Sequence, residues 1–156
     1  MTGTSQPTPS RPAVGASSAP RTGAEATPTS VRLLLHSDNI TTRDAVRAAV
    51  GRRPARDVEV ESWLECATPA AVVEAVEGGD IDVVILDGEA AKTGGLGLCR
   101  QLKVEIHRCP PVLVLTGRPQ DGWLATWSMA DGSVPHPLDP IAVADAVADL
   151  ARGVAR

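Results

Sequence analysis

Ile81-Asp82-Val83-Val84-Ile85-Leu86-Asp87 is the stretch on which the fold turns. It is a short apolar run ending in a carboxylate, and it reads as a strand buried on both faces. Such strands belong to parallel sheets covered by helices on either side. Two neighbours share its character. Upstream is Val31-Arg32-Leu33-Leu34-Leu35, followed by Ser37-Asp38-Asn39, and downstream is Pro111-Val112-Leu113-Val114-Leu115, followed by Thr116-Gly117.

Helical periodicity fills the gaps. Thr41, with Asp44 three residues on, offers an N-cap for a helix whose inner face is Val46, Ala49 and Val50, and Gly51 ends it. Thr68-Pro69 is a cap followed by proline at the first helical position, with Val72, Val73 and Val76 on the buried side. Gly94-Gly95 leads into a helix with Leu98, Cys99 and Leu102 inward. A short helix is expected near Asp121–Ala130, and Asp139-Pro140 starts a last one carrying Val143, Val147, Leu150 and Val154 on one face. Two weaker strands complete the set. Val58-Glu59-Val60-Glu61 alternates, as a half-exposed strand does, and Ser133-Val134 is brief and interrupted by Pro135.

Five strand-then-helix units predict an α/β fold, a doubly wound five-stranded parallel sheet with helices on both faces. The apolar strands suit the centre and the two weaker ones the edges. The flavodoxin-like order 2-1-3-4-5 places them so.

The totals agree with one domain. The chain has 156 residues, 43% hydrophobic and 22% charged, with a net charge of −4. That charge disfavours a nucleic-acid partner held by phosphate contacts. No apolar run is long enough to span a membrane, and the N-terminus lacks the apolar core of a signal peptide. Cys66, Cys99 and Cys109 have no CxxC spacing, so reduced thiols in a cytoplasmic protein are expected. Residues 1–30, rich in Thr, Ser, Pro and Ala, are expected to be a disordered tail, with the folded domain at 31–156.

In an open parallel sheet, ligands bind beyond the carboxyl ends of the strands. Here those ends carry Asp38, Asp87, Thr116 and His136. Carboxylates and backbone oxygens suit a hard cation such as Mg²⁺, and a carboxylate beside a metal can attack a phosphoryl group.

Four segments, in order and spacing, resemble the receiver domain of bacterial two-component response regulators over residues 31–154. Leu33-Leu34-Leu35-His36-Ser37-Asp38 sits where that family has its first strand and an acidic pair. Val83-Val84-Ile85-Leu86-Asp87 matches the strand ending in the phospho-accepting aspartate. Gly95-Leu96-Gly97-Leu98-Cys99 matches the family's glycine and third helix, and Val112-Leu113-Val114-Leu115-Thr116-Gly117 the fourth strand and its switch hydroxyl. The resemblance implies that Asp87 accepts a phosphoryl group from a histidine kinase or a small phosphodonor. It implies that Asp38, Asp87 and the main-chain carbonyl of Glu89 hold Mg²⁺, and that Thr116 contacts the phosphoryl group and reports it.

Three positions depart from the pattern. Ser37 replaces the first acid and so weakens the metal site. His136 stands where the family has a lysine, the chain's two lysines, Lys92 and Lys103, being earlier; a histidine is only partly protonated near neutrality. Ser133 replaces the switch aromatic. The expectation is an atypical, stand-alone receiver that signals through protein contacts rather than as an enzyme. The alternative is a pseudo-receiver, a constitutive interaction module independent of phosphorylation. A flavodoxin-like enzyme or cofactor carrier is disfavoured, because the loop His36–Thr42 has no glycine-rich phosphate cradle. Cys99, His107 and Cys109 match no ordinary zinc spacing. Trp123 and Trp127, four apart, share one helical face: they either pack in the core or form an aromatic patch for an unknown target protein. Trp63, expected at the end of edge strand two, reads as packing.

Overall fold

In a computed structural model, which describes residues 3, 10, 26–90 and 94–154, the domain is a five-stranded parallel sheet in the order β2-β1-β3-β4-β5. The strands are β1 (Thr29–His36), β2 (Val58–Cys66), β3 (Val83–Asp87), β4 (Val112–Thr116) and β5 (Gly132–Pro135). The helices are α1 (Ile40–Val50), α2 (Pro69–Glu77), α3 (Gly95–Glu105), α4 (Gly122–Trp127) and α5 (Pro140–Val154).

The three central runs behave as their composition demands. Successive side chains of a strand point to opposite faces, so each run feeds two cores. Leu33, Leu35, Val83, Ile85, Leu113 and Leu115 pack with Val46 and Val50 of α1 and Val143 and Val147 of α5. Leu34, Val84, Leu86, Val112 and Val114 pack with Val72 of α2, Leu98 and Leu102 of α3 and Ala125 of α4. Full burial of one such side chain stabilises the fold by roughly 1.5–3 kcal/mol. With only three aromatic residues in the chain, stability rests on many small aliphatic contacts.

Several local expectations are corrected. The N-cap of α1 is Asn39, not Thr41; its side chain accepts from the Thr41 backbone N–H at 2.9 Å. Both residues are cap formers, and a cap two residues upstream lets the helix begin at Ile40. β1 starts at Thr29 rather than Val31, because the Thr29 N–H donates to the Asp57 carbonyl at 2.8 Å. Of the expected tail, positions other than 3, 10 and 26–30 lie outside the described residues. β2 runs on through Trp63 to Cys66, its register shifting opposite Val31/Arg32. Trp63 is therefore inside the strand; it packs against the α1/α5 core, under the Arg47 guanidinium. β3 begins at Val83, since Asp82 is held by Arg32, and β5 includes Pro135. The segment expected as one helix near 121–130 is a 3₁₀ turn, Pro119–Asp121, followed by the six-residue α4. Val154 ends α5 exposed rather than buried. The Thr68 cap, the Pro69 start and the Gly51 stop, with φ of 59°, are as expected.

Trp123 and Trp127 stand in solvent, 66% and 49% exposed. Of their two readings, packing in the core is not what is observed. Arg100 lies over the Trp127 ring at 5.0 Å and donates to its carbonyl at 2.6 Å. Among the described residues, no helix is long and apolar enough to cross a membrane.

Candidate functional site

Sheet register brings the loop tips together. His36 pairs with Leu86, Asp87 with Leu115, and Thr116 with Pro135, so the carboxyl edges of β1, β3, β4 and β5 lie in one row. Two backbone bonds tie the loops beyond that row. Gly88 N–H donates to the Leu115 carbonyl at 2.8 Å, and His136 N–H to the Thr116 carbonyl at 2.7 Å. A cavity of about 520 Å³ opens above it, lined by Asp38, Asn39, Thr42, Asp87, Glu89, Gly117 and His136.

Asp87 is the centre. Its side chain is 3% exposed, yet it reaches this cavity. An ionised carboxylate so deeply placed needs hydrogen-bond donors. Oδ2 accepts from the Ser37 hydroxyl at 2.8 Å, and Oδ1 accepts from the Glu89 backbone N–H at 3.0 Å. His136 Nε2 lies 3.6 Å from Oδ1, and it is buried with no hydrogen-bond partner among the described residues. A buried nitrogen left without a partner is costly, and few native atoms are left so. Here it faces the cavity's acidic centre.

Glycines hold the frame close. A Cβ on Gly95 would run into the carbonyl oxygen of Asp87, and one on Gly88 would sit 2.5 Å from the Leu115 carbonyl. The first turn of α3 therefore seats directly on the Asp87 backbone, which explains a glycine eight residues beyond it. At Gly117 a Cβ would meet the Glu89 carboxylate, which lies against that glycine at the cavity wall.

The predicted site residues are not all alike in position. Asp38, Asp87, Glu89 and His136 share one cavity. Thr116 is buried at the end of β4 but does not line that cavity; its hydroxyl donates to the Arg118 carbonyl at 3.4 Å. Ser133 is exposed on β5, and Lys92 lies outside the described residues. Sequence reasoning missed Ser37 as a partner of Asp87, having read it only as a lost acid. It also missed Asn39, Thr42 and Gly117 as cavity lining. Their one signal was place: Gly117 directly follows β4, and Asn39 and Thr42 lie between the end of β1 and the first turn of α1.

Among the described residues, no three acidic, imidazole or thiol side chains converge as a ready metal-ligand set. The carboxylates at hand are those of Asp38 and Asp87, with Glu89 at the cavity wall. Mg²⁺ keeps several waters and takes one or two carboxylates, so the set fits that ion with one acid fewer than a paired-acid site. The thiols lie elsewhere and are poorly ionised. Burial pushes Cys99 up to about 11 and raises Cys66 and Cys109 in the same direction.

No protein-family model matches the chain. A protein of Mycobacterium tuberculosis named as an uncharacterized response regulatory protein, found in two strains, is 49% identical over 127 residues, covering 81% of this chain and 96% of the relative. This chain belongs to the response regulator family. Solved structures agree on the fold of this response regulator. The response regulator ChrA of a heme-sensing two-component system is 27% identical with a TM-score of 0.60, over 80% of this chain and 58% of that one. The signal receiver domain of a signal transduction histidine kinase from Syntrophus aciditrophicus gives a TM-score of 0.65 at 23% identity, over 81% and 93% of the two chains. Chemotaxis protein CheY4 of Vibrio cholerae gives 0.60 at 19% identity, over 77% and 98%. The last two establish the receiver fold alone.

Proposed function

We propose that this response regulator is an atypical receiver that accepts a phosphoryl group on Asp87 and acts by changing its protein contacts in the cytoplasm. The observation that carries the reading is the Asp87 carboxylate beside an imidazole nitrogen 3.6 Å away that, among the described residues, makes no hydrogen bond. A transferred phosphoryl group brings oxygens that this nitrogen can bond when it carries a proton.

The donor would be a histidine kinase or a small phosphodonor such as acetyl phosphate. A carboxylate oxygen of Asp87 attacks phosphorus. The new O–P bond forms as the bond from phosphorus to the kinase imidazole, or to acetate, breaks, and the leaving group keeps the electron pair. The Ser37 hydroxyl and the Glu89 N–H hold the carboxylate oriented for that attack. Asp38 and Asp87, with the Glu89 carbonyl, would hold Mg²⁺, which when bound supplies positive charge to the phosphoryl oxygens. His136 gives a cation only while protonated, and losing a preorganised donor of this kind typically costs about 3 kcal/mol of transition-state stabilisation. Phosphorylation is therefore expected to be slow. Thr116 would turn its hydroxyl from Arg118 to a phosphoryl oxygen. The exposed Trp123/Trp127 face is the proposed contact for the target protein.

A second reading, a phosphorylation-independent interaction module, is favoured by Ser37, Ser133 and His136 replacing an acid, an aromatic and a lysine together. Intact-mass spectrometry after treatment with acetyl phosphate and Mg²⁺ separates the two. One added phosphoryl group, absent in Asp87→Asn, is the result expected of a receiver. No adduct under conditions that label an ordinary receiver selects the interaction module.

A further inference from the structure

Ser37 does more than replace an acid. Its side chain is fully buried between Asp87 and the start of α1. The same Oγ that donates to Asp87 Oδ2 at 2.8 Å accepts the Asn39 backbone N–H at 3.1 Å and lies 3.4 Å from the Asn39 carbonyl. Asn39 is the N-cap of α1, its side chain accepting from Thr41 N–H at 2.9 Å. The Ser37 carbonyl accepts from Arg43 Nη1 at 2.6 Å, and the Arg43 guanidinium reaches Glu65 near the end of β2 at 3.9 Å. One hydroxyl therefore joins Asp87 to the first turn of α1, and one guanidinium joins that turn to β2.

On the opposite side, among the described residues, no side-chain hydroxyl bonds Asp87, and His136 Nε2 stands 3.6 Å from it. The Thr116 hydroxyl is directed to Arg118, and Ser133 has no ring to relocate. We infer that Ser37 senses the state of Asp87 and passes it, through Asn39 and Arg43, to the N-terminal turn of α1 and the end of β2. The physical reason is the acceptor. A carboxylate oxygen is a strong, charged acceptor for the Ser37 proton, whereas in an acyl phosphate that oxygen is a carbonyl or an ester and a weaker one. The hydroxyl must then turn to a phosphoryl oxygen or to the Asn39 carbonyl. Either turn alters the bond it accepts from Asn39. Ser37 is thus a positioning residue acting on the helix cap, and the inference rests on Asp87 being the acceptor.

The test is amide chemical-shift mapping on the isotope-labelled full chain, before and after acetyl phosphate and Mg²⁺, with adduct counted by mass. Beyond Gly88 and Glu89 beside the acceptor, the expected shifts are largest at Asn39, Thr41, Arg43 and Glu65. In Ser37→Ala, compared at equal adduct, the shifts at Arg43 and Glu65 are lost, and Ser37→Thr, which keeps the hydroxyl, restores them. Asp87→Ala, which removes the acceptor without any phosphodonor, is expected to move the same amides. Shifts confined, beyond Gly88 and Glu89, to Gly117–Pro135 and unchanged by Ser37→Ala overturn the relay while leaving the receiver reading standing. Unmoved Asn39 and Arg43 amides in Asp87→Ala overturn it as well. A chain that forms no adduct overturns both readings.

Discussion

The two halves of the sheet's carboxyl edge differ in how much chemistry they keep. On the β1–β3 side, Asp87 is held through both oxygens by Ser37 and Glu89, and Asp38 shares its cavity. On the β4–β5 side, the Thr116 hydroxyl is directed elsewhere, Ser133 is small and exposed, and His136 offers a nitrogen 3.6 Å from Asp87 with no hydrogen bond among the described residues. The frame is nonetheless the same on both sides. Apolar strands in parallel register deliver residues 37, 87, 116 and 136 to one row whatever their side chains are. Place is set by the core, and chemistry by the tips.

That contrast can be broken at several points. Gly95→Ala strikes the retained half. Its methyl would meet the backbone of Asp87, which cannot give way as a side chain can, so unfolding stability is expected to fall by about 1–3 kcal/mol, read as a lower urea midpoint. His136→Lys restores a permanent cation to the altered half. Adduct formation from acetyl phosphate is expected to rise roughly tenfold, the equivalent of about 1.4 kcal/mol; an unchanged rate would mean that residue 136 does not touch the transferred group.

Asp82→Asn probes the opposite, amino edge. Burial pushes the Asp82 carboxyl up, but hydrogen bonds from the side chain and backbone of Arg32 bring it below its usual 3.8. A depressed carboxyl contributes stability above its unfolded value, and that contribution is lost as pH falls through the lower folded value. The variant should be less stable near neutrality, by on the order of 1 kcal/mol, and show a shallower loss below about pH 4 in acid titrations followed by circular dichroism. The smallest effect is expected at Gly117→Ala. Its methyl takes the space of the Glu89 carboxylate, a movable group, so stability should change by less than about 1 kcal/mol while the cavity wall rearranges. A large loss there would show that the altered half is as tightly built as the other.

How far the sequence could be read follows from the same division. Val83–Leu86 and Leu113–Leu115 announce central strands because nothing but burial on both faces accommodates such runs. From them came the strand order and the row of tips. The N-cap of α1 was misplaced because Asn39 and Thr41 satisfy the same local pattern, and only the backbone conformation decides between them. β2 was read short because its register shift breaks the alternation that marks a half-exposed strand. Trp123 and Trp127 show the limit most clearly. A spacing of four is identical for a core stripe and a surface patch, and in α4 the buried residue is Ala125 while both tryptophans stand in solvent. Ser37 announced a missing charge, but the direction of its hydroxyl depends on Asp87, fifty residues away.

Trapping the modified residue with hydroxylamine tests the account most directly. The reagent attacks the acyl carbon of an aspartyl phosphate, releases phosphate and leaves a hydroxamate that peptide mass mapping can locate. After acetyl phosphate and Mg²⁺, the account predicts a hydroxamate at Asp87 alone, absent when the phosphodonor is omitted. A hydroxamate at Asp38 or Glu89 instead, or none while an ordinary receiver treated in parallel acquires one, would contradict it.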